Sequence, residues 1–97
     1  MPIFVKTEII KREFLSNQNI KKKFINKHKL WIEELKNAGV KIKSGFLVNE
    51  TKEPGAGGLL TIEAETYKDA LKIVKNDPMI KNEIVDWKLS EWIDISK

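Results

Sequence analysis

Residues 19–38, NIKKKFINKHKLWIEELKNA, read as a single amphipathic helix around which the rest of the chain can be placed. Ile20, Phe24, Trp31, Ile32 and Leu35 recur at helical spacing and form an apolar stripe. His28 falls inside that stripe, between Phe24 and Trp31, and is the chain's only histidine. Lys21, Lys22, Lys23, Lys27 and Lys29 take the other faces, as the solvated side of a helix does. Ser16 or Asn17 supplies an N-cap, and Ala38-Gly39 ends the helix with a residue suited to a left-handed C-terminal position.

Before the helix, Ile3, Val5 and Ile9 alternate with Phe4 and Lys6, which predicts a first strand near residues 2–9. After it, Val40, Ile42, Phe46 and Val48 share parity and predict a second strand; Ser44 interrupts the apolar series, and Gly45 marks a bulge or a close approach. Residues 50–58, ETKEPGAGG, read as the loop to a third strand, in which Leu60, Ile62 and Ala64 alternate with Leu59, Thr61 and Glu63. Thr66 with Asp69 resembles an acidic capping box, and Tyr67, Ala70, Leu71 and Val74 trace a short second helix. Asp77-Pro78 must interrupt that helix, because proline moves the preceding residue out of the helical region. Val85, Trp87, Leu89, Ile93 and Ile95 predict a last strand, with a tail over residues 91–97 that could reach a partner.

Strand, helix, strand, strand, helix, strand with right-handed crossovers gives an α+β, ferredoxin-like βαββαβ fold, both helices on one face of an antiparallel sheet. The other sheet face needs cover, and homodimerisation through the sheets is a common solution. The 97 residues make one domain, 1–97, with a modest core. Having no cysteine, the chain has no disulfide, thiol nucleophile or thiolate metal site, which suits a cytoplasmic setting. A single histidine argues against a histidine-rich metal centre, and no cofactor is expected. Neither a signal peptide nor a spanning helix is legible, so no membrane partner is expected. Residues 1–48 carry eleven Lys/Arg against four Glu, and residues 49–97 seven Lys against ten Asp/Glu. A basic half can attract anions, including nucleic acid. However, the third strand offers Leu59, Leu60, Thr61 and Ile62 where an RNA-binding sheet of this topology presents stacking aromatics, so nucleic acid is not the expected partner.

Three features carry candidate chemistry. His28 can give or take a proton near neutral pH, or can be a structural imidazole bonded to its neighbours. Asp77 reads first as a turn residue capping local amides, and alternatively as a carboxylate that orients the imidazole. The glycines of Gly55-Ala56-Gly57-Gly58 can turn backbone amides toward an anion, or can simply form a hairpin. No Gly-Lys-Ser/Thr follows, so the run is not a P-loop. Trp31, Trp87 and Trp92 read as core or interface residues rather than a cofactor cage.

In combination, these pieces resemble the YCII-related proteins of the dimeric α/β-barrel superfamily. The resemblance rests on His28 followed by Trp31, Leu35 and Ala38-Gly39, on Gly45, on the glycine run, on the strand LLTIEAET and on Asp77-Pro78. It implies a homodimer and a pocket between sheet and helices, in which His28 and Asp77 stand where the family's proposed active-site pair does. Gly55, Gly57, Gly58, Trp31 and Met79 would then line the substrate site. Characterised relatives are dehydrochlorinases acting on chlorinated aromatics, and similar folds house muconolactone isomerases. An arginine commonly precedes the family's histidine, where this chain has Phe24, Ile25, Asn26 and Lys27. Phe46 replaces a common proline, and Met79 a common aromatic. The expectation is a lyase or isomerase acting on a small anionic organic molecule; the alternative is a non-catalytic ligand-binding or interaction module.

Overall fold

The computed structural model describes residues 1–96. Its strands are β1 (Ile3–Ile10), β2 (Ile42–Val48), β3 (Pro54–Glu63) and β4 (Val85–Trp92), and its helices are α1 (Gln18–Asn37), α2 (Tyr67–Val74) and α3 (Pro78–Lys81). The sheet order is β2-β3-β1-β4, with every neighbouring pair antiparallel. This is the ferredoxin-like α+β arrangement that the pattern predicts. Each long crossover skips one strand, which leaves β1 and β3 in the centre and β2 on a free edge.

Local chemistry explains where the elements start and stop. The Asn17 side chain accepts from the Ile20 N–H at the start of α1, so Asn17 is the cap rather than Ser16. Gly39, at φ +89°, ends the helix in the left-handed region. The Thr66 hydroxyl accepts from the Asp69 N–H at the start of α2. Asp77 does more than interrupt α2: its carboxylate accepts from the Met79 N–H and opens α3, with Pro78 in the first turn. A 3-10 turn at Arg12–Phe14 links β1 to α1.

The hairpin between β2 and β3 corrects the expected loop. The turn is residues 49–53, where the Asn49 carboxamide accepts from the Thr51 and Glu53 backbone N–H groups and Lys52 takes a φ of +67°. Strand β3 then begins at Pro54, so the whole glycine run lies inside it.

The core sits between the sheet and the helices. Phe4, Leu60, Ile62 and Leu89 from the sheet pack with Ile32, Ala70 and Val74 from the helices. A second cluster of Met79, Ile84 and Val85 is flanked by Ile10, Phe14, Ile20 and Phe24. The face of β1 that turns to the helices therefore carries Phe4 and Lys6, while Ile3 and Ile9 lie exposed on the opposite face. Leu59 and Trp92 are exposed as well. In register, Ile3 stands opposite both Glu63 and Trp92.

Candidate active site

His28 and Asp77, forty-nine residues apart, meet above the sheet: His28 Nδ1 lies 2.8 Å from Asp77 Oδ1. The apolar stripe turns the inner face of α1 toward the sheet, and the Asp-Pro break brings Asp77, the cap of α3, up against it. The Asp77 side chain is fully buried and that of His28 is 15% exposed. The second carboxylate oxygen, Oδ2, accepts from the ammonium of Lys6 at 2.8 Å, and Lys6 is fully buried too. Lys6 also pairs with Glu8 Oε1, two residues along the same face of β1. At the far side of the imidazole, Nε2 lies 2.7 Å from the hydroxyl of Ser44 on β2. A continuous polar chain thus runs Glu8, Lys6, Asp77, His28, Ser44 across the sheet.

The electrostatics of that chain assign its protons. Burial alone would raise the Asp77 carboxyl, but the His28 hydrogen bond and the Lys6 charge and hydrogen bond outweigh it. The net effect holds Asp77 below its ordinary value of 3.8, so it is a carboxylate at neutral pH. A carboxylate has only lone pairs to offer, and Oδ1 already accepts from the Met79 N–H at 2.9 Å. The proton between Asp77 and His28 therefore belongs to Nδ1. In the neutral imidazole, Nε2 is then a lone pair that accepts from the Ser44 hydroxyl, and a substrate proton can take the hydroxyl's place. Asp77 is thus both a helix cap and the hydrogen-bond partner of the imidazole: both contacts fall on Oδ1, and Oδ2 is left to Lys6.

The remaining expected site residues are placed differently. Trp31 lies beside His28, ring centroids 5.6 Å apart and tilted by 45°, and also packs against the core. Met79 is buried in the second core cluster, where its side chain faces protein; only its backbone N–H reaches the site. The glycine run forms no turn. Gly58 pairs with Glu8 on one side and Phe46 on the other, and a side chain there would press on the Glu8 side chain at 3.0 Å. Gly57, at φ +89°, leaves so little space that a Cβ would stand 2.3 Å from the Glu8 carbonyl oxygen. These two glycines thus make room for β1, and the group facing the site beside them is the Glu8 carboxylate rather than a set of amides. Gly55 is exposed and makes no close approach.

Lys6, Glu8 and Ser44 are absent from the sequence reading of the site. Ser44 does leave a signal, as the polar residue within the apolar series Val40, Ile42, Phe46, Val48. Among the described residues, no group of three or more His, Cys, Asp or Glu side chains is arranged to hold a metal ion, and no helix is long and apolar enough to cross a membrane.

The sheet order, crossovers and single-sided helices define a small ferredoxin-like α+β domain with an imidazole–carboxylate pair between sheet and helices. Among solved structures the chain is similar to the 5-chloro-2-hydroxyhydroquinone dehydrochlorinase (TftG) of Burkholderia phenoliruptrix AC1100 in complex with 2,5-dihydroxybenzoquinone. The two share 21% identity and superpose with a TM-score of 0.73 over 94% of this chain and 93% of the other. That likeness is one of fold. The sequence matches no protein-family model and none of the curated proteins.

Proposed function

We propose that this protein is a small lyase or isomerase related to the YCII group, with His28 as its general acid–base and Asp77 as the residue that positions it. The observation that carries the reading is the 2.8 Å contact of His28 Nδ1 with a buried Asp77 carboxylate that is itself paired with buried Lys6. Burying two charges and an imidazole side by side is costly where apolar packing would serve, so the arrangement suits a site better than a core. Nε2 takes a proton from a carbon next to an electron-withdrawing group. The bonding electrons then either expel a leaving group with its pair, as in an elimination, or shift into a new double bond while the proton returns at another carbon. The fold-level similarity to a dehydrochlorinase supports the first branch. A cytoplasmic homodimer joined through the outer sheet face completes the reading, supported by the absence of cysteine and by exposed Ile3, Ile9, Leu59 and Trp92.

The test is turnover of lactones and of chlorinated or hydroxylated aromatics by wild type and His28→Ala. Loss of a detected activity by at least about a hundredfold in the variant is expected; equal rates would remove His28 from the chemistry. A second reading draws on the 2.7 Å approach of the Ser44 hydroxyl to Nε2, which gives the order serine, histidine, aspartate used in acyl transfer. Ser44→Ala separates the two: proton transfer to Nε2 survives the substitution, whereas an acyl-serine route does not.

A further inference from the structure

The outward side of α1 carries a charge pattern that neither the fold nor the dyad uses. From Phe14 to Ile32 the chain holds five lysines and no Asp or Glu; acids return only at Glu33 and Glu34. Lys22, Lys23, Lys27 and Lys29 are exposed, whereas His28 points the opposite way, toward the sheet. Little in this arrangement serves folding. The first turn of α1 has no acid, so the lysine run follows directly on the positive end of the helix dipole. Lys23 and Lys27 stand one turn apart, a like-charge spacing that weakens a helix. Both ammonium groups nevertheless lie against one ring, 5.5 and 5.3 Å from the centroid of Phe24, which holds two like charges together at the surface. The ion pairs among the described residues all involve Lys6, Asp77 or His28, so no carboxylate neutralises this face. Helix α2 is built differently, with exposed Lys68, Lys72 and Lys75 set among Glu65 and Asp69.

We propose that the outer face of α1 over residues 21–29 docks on the phosphodiester backbone of a nucleic-acid duplex, without regard to base sequence. The charge calls for a polyanion, and the residue types narrow the choice. Lysine is a compact point charge suited to phosphate oxygens, and exposed Asn19 and Asn26 add neutral donors beside it. Base edges are read best by bidentate arginine, and α1 contains none. Single strands bind by stacking on open aromatic rings, but Phe24 and Trp31, the aromatics of α1, both pack against the core clusters. An anionic membrane would call for an apolar seam beside the lysines. Ile25 and Leu30, the exposed apolar residues of α1, instead fall on opposite flanks of the helix, about 140° apart. Residues 21–29 span about 12 Å of helix axis, which sets four exposed ammonium groups against about four phosphates. The face lies on the helix side of the sheet, so a homodimer joined through the outer sheet surface leaves it open.

The test is fluorescence anisotropy of a labelled duplex of about 20 base pairs, titrated with the full chain at about 50 and about 200 mM salt. Four phosphate contacts predict micromolar binding at the lower salt and a loss of roughly a hundredfold at the higher. Lys22→Gln/Lys23→Gln/Lys27→Gln alters exposed side chains only. It is expected to weaken binding at least about tenfold at the lower salt and to flatten the salt dependence to roughly fourfold. Lys68→Gln/Lys72→Gln/Lys75→Gln removes the same net charge from α2 and is expected to stay within about twofold of wild type. Four results would each overturn the proposal: no binding at the lower salt, equal weakening in both triple variants, tighter binding of a single strand of the same length, or tighter binding of anionic lipid vesicles. His28→Ala is expected to bind the duplex as wild type does, so the duplex surface and the acid–base reading stand or fall separately.

Discussion

At the scale of single residues, the site is a set of charges that hold one another in place. Lys6 is the member whose removal tells most. Lys6→Met is close in volume but leaves the carboxylates of Asp77 and Glu8 without their shared cation, and breaking a buried pair costs about 3–5 kcal/mol. Chemical denaturation of the variant checks that figure; a loss below about 1 kcal/mol would mean that water already screens the pair. Asp77 gives a second prediction, through pH. Its folded-state carboxyl lies below the ordinary value of 3.8, so the stability it contributes is present above that value and is lost as pH falls through the folded one. The stability gap between wild type and Asp77→Asn should therefore hold steady near neutrality and shrink below pH 3.8. His28 and Asp77 were legible as candidates because a lone histidine in an apolar stripe and an Asp-Pro break both stand out. Lys6 was not, because Ile3, Val5 and Ile9 give β1 a second apolar face, and a lysine on the buried parity looks like an ordinary solvent residue.

At the scale of elements, helices and caps followed from spacing, whereas the β2–β3 hairpin did not. Glycine and proline together usually signal a loop, yet Asn49 closes this turn with its side chain and the glycines are drawn into β3. The reason lies on the neighbouring strand: β1 brings the Glu8 backbone so close that only glycine fits at 57, and a side chain at 58 would have to push the Glu8 side chain aside. That contact spans some fifty residues of sequence and cannot be read from local pattern. Gly57→Ala is accordingly expected to destabilise the protein by about 2 kcal/mol or more, from the positive φ together with the clash on the Glu8 carbonyl. Gly55→Ala, at φ +154° but with open space around it, carries backbone strain without the clash and should cost less in the same thermal unfolding series. Thr66→Ala should cost about 1 kcal/mol through loss of the α2 cap.

At the scale of the whole molecule, the fold was the most legible feature. Six alternating segments of the right period leave few topologies once crossovers are right-handed. Its consequence is a sheet covered by helices on one side only, with Ile3, Ile9, Leu59 and Trp92 exposed on the other. Exposed apolar surface of that kind is what the proposed dimer would bury. If two copies pack through these faces, Trp92→Glu places a charge at the join and should shift light-scattering mass from dimer to monomer at micromolar concentration. A wild-type chain that is monomeric throughout that range would exclude this assembly. The dyad lies on the helix side, so the variant should leave the His28 environment unchanged.

The central claim is that a buried Asp77 carboxylate keeps the proton of neutral His28 on Nδ1 and leaves Nε2 free to work. Nitrogen-15 NMR of the imidazole reads this directly, since the chain holds one histidine and no assignment is needed. At a pH where the ring is neutral, the account predicts a protonated Nδ1 and an unprotonated Nε2 in wild type, with that preference lost in Asp77→Asn. A proton found on Nε2 in the wild-type protein, or a tautomer indifferent to Asp77→Asn, would contradict it.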